Sequence, residues 1–315
     1  MEQRGNISAQ DVANAAGAYI QEPHPETWDK PAADINLDDV LAILEPLTSA
    51  GKLRTAGKVR SIVRAAFAAA IRARTSPQAS ELRKFSIEAN PAADVQTIEG
   101  SHKARDRALS VIELRALWRR ACSPDQRAGP LLRLYLLTGG QRFAQLRRAR
   151  VSDITDEGLI LWDSKGRRAK PRRHVVPLLP EALQALEDCA PARVGDYIAT
   201  LTAGVSPADP AFLSKLIRRI SDQMVESGEA VAPFTLSDLR RTVETRLAAL
   251  GVSMEIRGQL QSHGLGGVQA RHYDRHDYWQ EKLEALERLR DLLTRPAAAV
   301  SELPTKRKPR ATAAN

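Results

Sequence analysis

The chain has 315 residues, 43% of them hydrophobic and 4% aromatic, with only two cysteines, Cys122 and Cys189. That is apolar material for roughly two domains, and too little cysteine for a disulfide scaffold or a zinc framework, which points to a reducing compartment. Lys and Arg number 47 against 38 Asp and Glu, a net charge of +9, the footprint of a polyanion binder. The scarcity of aromatics argues against reading single strands by base stacking, so duplex DNA is the expected partner. No apolar run approaches the roughly 20 residues of a membrane span. The polar stretch Met1 to Asp11 has no signal-peptide core.

In chain order, Asn36 and Asp39 are spaced as a capping box ahead of Val40, Leu41, Ile43, Leu44 and Leu47, and Gly51 stops that helix. Val59, Ile62, Val63, Phe67 and Ile71 form a second helical stripe, with Lys58, Arg60 and Arg64 beside it as candidate DNA contacts. Asn90 to Asp106 lose periodicity and read as a linker. Ser110 and Glu113 are a second capping box, ahead of Leu114, Leu117 and Trp118. Leu131 to Leu137 form an apolar helix ending at Gly139-Gly140. Gly158 to Trp162 and His174 to Leu178 read as short strands joined by a turn around Gly166. From Pro180 the pattern is helical again. Thr235 and Asp238 cap a helix with the stripe Leu236, Leu239, Val243, Leu247 and Leu250, closed by Gly251. Trp279, Leu283, Leu286 and Leu293 mark the last helix. Beyond Pro296 the basic, Ala/Pro-rich tail reads as disordered.

Between the two strands stand Lys165, Arg167, Arg168, Lys170, Arg172 and Arg173, with no acid among them. By itself this is equally a solvated basic hairpin or a β-turn laid on a phosphate backbone. Around it are Thr138-Gly-Gly-Gln-Arg142, Ser237-Asp-Leu-Arg240-Arg241, Ser262-His263-Gly264 and Arg271-His272-Tyr273. Alone, each of these motifs is commonplace. In this order and spacing, with the basic hairpin between the first two, the chain resembles the tyrosine recombinase (phage integrase) family from Ser110 to about Leu293, and the helical segment before it resembles that family's core-binding domain.

The resemblance implies a mainly α (α+β) fold: a helical core-binding domain at 1–97, a linker at 98–109, a mostly helical catalytic domain with a small antiparallel sheet at 110–296, and the basic tail at 297–315. It implies that Arg142 and Arg240 clamp the phosphate oxygens, which neutralises the charge that repels a nucleophile. Tyr273 would be the nucleophile, with Tyr278 the competing hydroxyl. Lys165 would protonate the leaving 5′ oxygen, with Lys170 its rival in the same loop. His263 would bond the phosphate and share in proton transfer. Arg167, Arg168, Arg172, Arg173 and Arg241 are the further DNA contacts expected of this domain.

Two positions depart from the family. Where it usually has an acid three residues after the first arginine stands Gln145, and where it usually has His or Lys three before the second stands Ser237. A serine hydroxyl can donate to a phosphate but cannot act as a base near neutral pH; His276 or His263 would take that part. The expected activity is site-specific cleavage and rejoining of duplex DNA through a 3′-phosphotyrosine, integrating or excising a mobile element, with four protomers on two sites. No metal, ATP or other cofactor is expected, since neither a carboxylate cluster nor a Walker-type loop is visible. The expected location is cytoplasmic, on the nucleoid. No accessory DNA-binding domain is expected before the first helices. The alternatives are a decayed integrase that regulates by binding DNA, and a relaxing enzyme of the type IB topoisomerase kind.

Overall fold

A computed structural model describes residues 9–77, 80–102, 106–163, 171–263 and 276–295. The chain divides into two compact units, Met1–Ala104 and Arg105–Asn315, so the division falls inside the stretch that reads as a linker.

The first unit is helical: α1 (Ala9–Ala16), which continues through a wider turn at Gly17–Gln21, then α2 (Pro25–Trp28), α3 (Leu37–Ser49), α4 (Leu53–Ala73) and α5 (Ser80–Arg83). The Asn36 capping box forms as its spacing predicts: the side chain accepts from Asp39 N and the Asp39 carboxylate from Asn36 N, both at 3.0 Å. Gly51, at φ +69°, ends the connection. Val40, Ile43 and Leu44 of α3 pack on Val59 and Val63 of α4. Ala92 and Val95 close the same core, so the aperiodic stretch after α5 is packed chain although it is not helical.

The second unit holds α6 (Val111–Cys122), α7 (Gly129–Leu137), α8 (Phe143–Leu146), β1 (Ile154–Thr155), β2 (Gly158–Asp163), β3 (Arg172–Val176), α9 (Pro180–Asp188), α10 (Pro210–Glu226), α11 (Leu236–Ala249), α12 (Met254–Gln261) and a last helix, α13 (Trp279–Thr294). The strands form one antiparallel sheet in the order β1-β2-β3. In the β2–β3 register Leu159 faces Val176 and Asp163 faces Arg172. The second strand therefore lies two residues earlier than its apolar pattern suggests. Pro177 has no N–H to give the ladder, so pairing ends at Val176, and the charged Arg172-Arg173 pair is strand. The Ser110 capping box closes through Ser110 N on Glu113 Oε2 at 2.6 Å and Glu113 N on Ser110 Oγ at 3.2 Å. One continuous core runs through Leu114 and Leu117 of α6, Leu131 to Leu137 of α7, Leu159 and Leu161 of β2, Leu239 and Val243 of α11, and Leu286 and Leu289 of α13. No helix among the described residues is long and apolar enough to cross a membrane.

Candidate active site

The site is built at the C-terminal end of α12. A helix end leaves carbonyls without intrahelical partners and carries a partial negative charge. Here three successive carbonyls are taken by side chains from elsewhere. Leu260 O accepts from Gln141 Nε2 at 2.9 Å, Gln261 O accepts from Arg240 Nη2, and Ser262 O accepts from Arg142 Nη1 at 3.1 Å. The two guanidiniums that the resemblance singles out are thus held on adjacent carbonyls.

The turn after α7 makes this approach possible. Gly139 and Gly140 have φ of +82° and +65°. A Cβ at Gly140 would stand 3.3 Å from Arg240 Cα, so only glycine lets this backbone reach α11 without strain. Gly140 O accepts from Arg240 Nη1 at 2.7 Å, and Gln261 Nε2 donates to Gly139 O at 3.0 Å and to Arg240 O at 3.2 Å. Arg240 is set near the start of α11 by Thr235, whose N–H and hydroxyl both reach Asp238 Oδ2, at 2.9 and 2.8 Å. Burial, then the neighbouring Arg142 charge, lowers the Arg240 pKa to about 10, so it stays cationic at neutral pH.

The sheet supplies the site's acid. Asp163 ends β2 and is buried. Its carboxylate accepts from Gln145 Nε2 at 2.6 Å, from Ser262 Oγ at 2.6 Å and from Arg142 Nη1 at 3.4 Å. Arg172, its cross-strand partner, donates to Ser262 Oγ at 2.8 Å. Behind them His174 Nε2 lies 3.3 Å from Gln141 Oε1 and 3.1 Å from Leu260 O. Burial, then the charges of Arg172 and Lys282, lowers the His174 pKa to about 3, so it is neutral. Lys282 of α13 donates to Val175 O at 2.9 Å and pins that helix to β3; burial lowers its pKa as well.

His263 follows Ser262 in the chain, and its Nε2 lies 3.6 Å from Oε2 of Glu244, which stands one helical turn after Arg240 on α11. Ser237 is exposed on α11, outside the Leu239 and Val243 core stripe. Tyr278 donates to Glu255 Oε1 at 2.7 Å, and His276 lies 2.7 Å from Glu281 Oε1. The remaining candidate DNA contacts differ from one another. Lys58 and Arg64 are exposed on α4, whereas the Arg60 guanidinium reaches Val95 O at 2.9 Å. Arg173 pairs with Glu157 at 2.6 Å and Arg241 with the buried Asp238 at 2.7 Å. Lys165, Arg167, Arg168, Lys170 and Tyr273 lie outside the described residues. Among the described residues no group of three or more His, Cys, Asp and Glu side chains could hold a metal ion.

Asp163, His174, Gln141 and Ser262 are absent from the sequence-based candidates. For the first two a signal exists. Side chains alternate across a strand, so an acid in register with Leu159 and Leu161, or a histidine in register with Val176, points inward and must find partners.

Residues 3–84 match the family model of the phage integrase central domain. No curated protein sequence matches the chain. Among solved structures, a lambda integrase tetramer bound to a Holliday junction matches with a TM-score of 0.59 at 23% identity, over 86% of this chain and 73% of that one. A lambda integrase dimer bound to a COC′ core site gives 0.58 at 23% identity, over 86% and 93%. The Tn1549 transposon integrase in complex with a circular intermediate DNA gives 0.54 at 17%, over 89% and 98%. The chain has the fold of these integrases, and its residues 3–84 match the phage integrase central domain.

Proposed function

We propose that the protein is a site-specific DNA recombinase that cleaves and rejoins duplex DNA through a 3′-phosphotyrosine intermediate. The observation that carries this reading is the pair of guanidiniums, Arg142 and Arg240, seated on the adjacent carbonyls of Ser262 and Gln261. Fixed there, they form a preorganised cationic pair. Such a pair stabilises charge on the non-bridging oxygens as the phosphorus becomes pentacoordinate.

In the proposed step the Tyr273 oxygen attacks phosphorus, the O–P bond to tyrosine forms, and the bond to the 5′ oxygen breaks. Lys165 delivers the proton that the 5′ oxygen requires, while His263 bonds the phosphate and takes up the phenol proton that Tyr273 gives up. The energy of the phosphodiester is kept in the phosphotyrosine, so rejoining by a 5′ hydroxyl requires no ATP. Arg142, Arg240 and His263 contact the phosphate. Arg167 and Arg168, in the segment that joins β2 to β3, contact the duplex, and Lys58 and Arg64 give the first unit its contacts. The assembly is four protomers on two DNA sites in the cytoplasm, integrating or excising a mobile element.

The test uses nicked suicide duplexes made from DNA flanking the gene, in which the short strand below the nick diffuses away and traps the adduct. A covalent complex on a denaturing gel, and joining of two such sites, are the expected results. DNA binding without adduct on any flanking sequence would favour a regulator. Relaxation of supercoils without joining of two sites would favour a topoisomerase.

A further inference from the structure

We propose that Asp163 is a positioning residue for Arg142, acting both directly and through the Ser262 hydroxyl. The inference rests on the reading of Arg142 as a phosphate ligand. Asp163 is 3% exposed, too deep to touch DNA, and the cleavage step above does not use it. A carboxylate so placed must be hydrogen-bonded and, where ionised, paired, and three donors converge on it: Gln145, Ser262 and Arg142. Arg142 Nη1 is consequently held between two acceptors, Asp163 Oδ2 at 3.4 Å and Ser262 O at 3.1 Å. The second acceptor is itself fixed by the first.

Ser262 caps α12 in the left-handed region, at φ +52°, a conformation that L side chains adopt at a cost. Its hydroxyl, donating to Asp163 and accepting from Arg172, holds it there. That grip fixes the direction of the carbonyl on which Arg142 rests. Asp163 therefore sets where the guanidinium points, and Gln145 serves it as a neutral donor. An acid at position 145 would stand against Asp163 without the donor that now joins them.

The test measures single-turnover adduct formation by the full chain on nicked duplex between about pH 6 and 9. Asp163→Asn should slow cleavage about 10- to 100-fold, the loss of a charge-assisted hydrogen bond at the transition state, while DNA affinity changes little. Gln145→Glu brings two carboxylates together, which must share a proton, so its rate should fall as pH rises. Combining it with Asp163→Asn should abolish that fall. Ser262→Gly keeps the carbonyl and relieves the strain, so cleavage should drop while the melting temperature holds or rises. A purely structural role would move both downward together. Wild-type rates in Asp163→Asn, or a pH-independent Gln145→Glu, would overturn the inference.

Inorganic phosphate separates this inference from the proposed function. Its stabilisation of the wild-type protein against heat should weaken in Asp163→Asn. If no adduct ever forms but the phosphate effect follows this pattern, the recombinase reading falls and the positioning role stands. If phosphate stabilises neither protein and no adduct forms, both fall.

Discussion

Replacing Arg240 by lysine retains the charge and removes the fork. In the structure one arm of the guanidinium reaches Gly140 O at 2.7 Å and the other reaches Gln261 O, and the planar group leaves further N–H donors for a phosphate. An ammonium is a single point on a flexible stem and cannot span both carbonyls while facing a phosphate. At least one carbonyl is then left without its donor, which costs about 1–3 kcal/mol of stability if it stays buried. One charge-assisted bond to the phosphate also disappears, worth about 1.5–3 kcal/mol, or roughly 10- to 150-fold in cleavage rate. Arg240→Ala removes the charge and both arms, and should cost roughly 10²- to 10⁴-fold. The assay is single-turnover adduct formation at saturating protein, with thermal unfolding measured on the same samples. An Arg240→Lys protein cleaving within twofold of wild type would refute the claim that the fork, rather than charge alone, organises the site.

Other expectations follow from neighbouring groups. Because folding lowers the His174 pKa from 6.5 to about 3, the unfolded chain takes up a proton below pH 6.5 that the native state refuses. Stability should therefore fall as pH drops from about 6.5 towards 3, by about 1.4 kcal/mol per unit. His174→Gln should remove that slope in chemical denaturation, and an unchanged slope would contradict the assignment. Glu113 adds to the acid loss only below its ordinary 4.5. Burial works to raise its pKa, but the bonds from Arg107 and from the N–H groups of Ser110 and Val231 outweigh burial and bring it to about 2. Ser237→Ala should slow cleavage about tenfold at most, the worth of one neutral hydrogen bond; abolition would show that the exposed hydroxyl does more than bond a phosphate. Neutralising Arg167 and Arg168 together should make DNA affinity less salt-dependent, with the log–log slope shallower by about 0.9 for each phosphate that the hairpin then leaves unneutralised. An unchanged slope would mark the hairpin as solvated.

The helices with capping boxes were legible because their signals are local. Asn36 with Asp39, Ser110 with Glu113 and Thr235 with Asp238 each mark a helix start from neighbouring residues alone. The glycines at 51, 139, 140 and 251 all take positive φ where a helix or its connection ends. Motif order named Arg142, Arg240 and His263 as candidates. The network that holds them was not legible, since its partners meet only through long-range folding. Asp163 joins Ser262 across 99 positions, and Gln141 joins Leu260 across 119. Gln145 reads as a missing acid when only its own helix is considered. With the sheet in view it is the donor to an acid that arrives on β2. Arg172 reads as one more cation of the hairpin, yet its guanidinium is turned onto Ser262. Arg60 and Arg241 likewise have the charge pattern of DNA contacts, while their guanidiniums are engaged within the fold by Val95 O and Asp238. Charge along a sequence does not show which cations are also engaged within the fold.

In the proposed reaction this site makes a covalent bond to DNA through Tyr273. The direct measurement is trapping on a nicked suicide duplex without divalent metal, followed by proteolysis and mass identification of the peptide carrying the nucleotide. Wild type and Tyr278→Phe should give an adduct on the peptide containing Tyr273, and Tyr273→Phe should bind the same duplex with unchanged affinity and give none. An adduct that survives Tyr273→Phe, or that is lost in Tyr278→Phe and mapped to Tyr278, would rule out Tyr273 as the nucleophile.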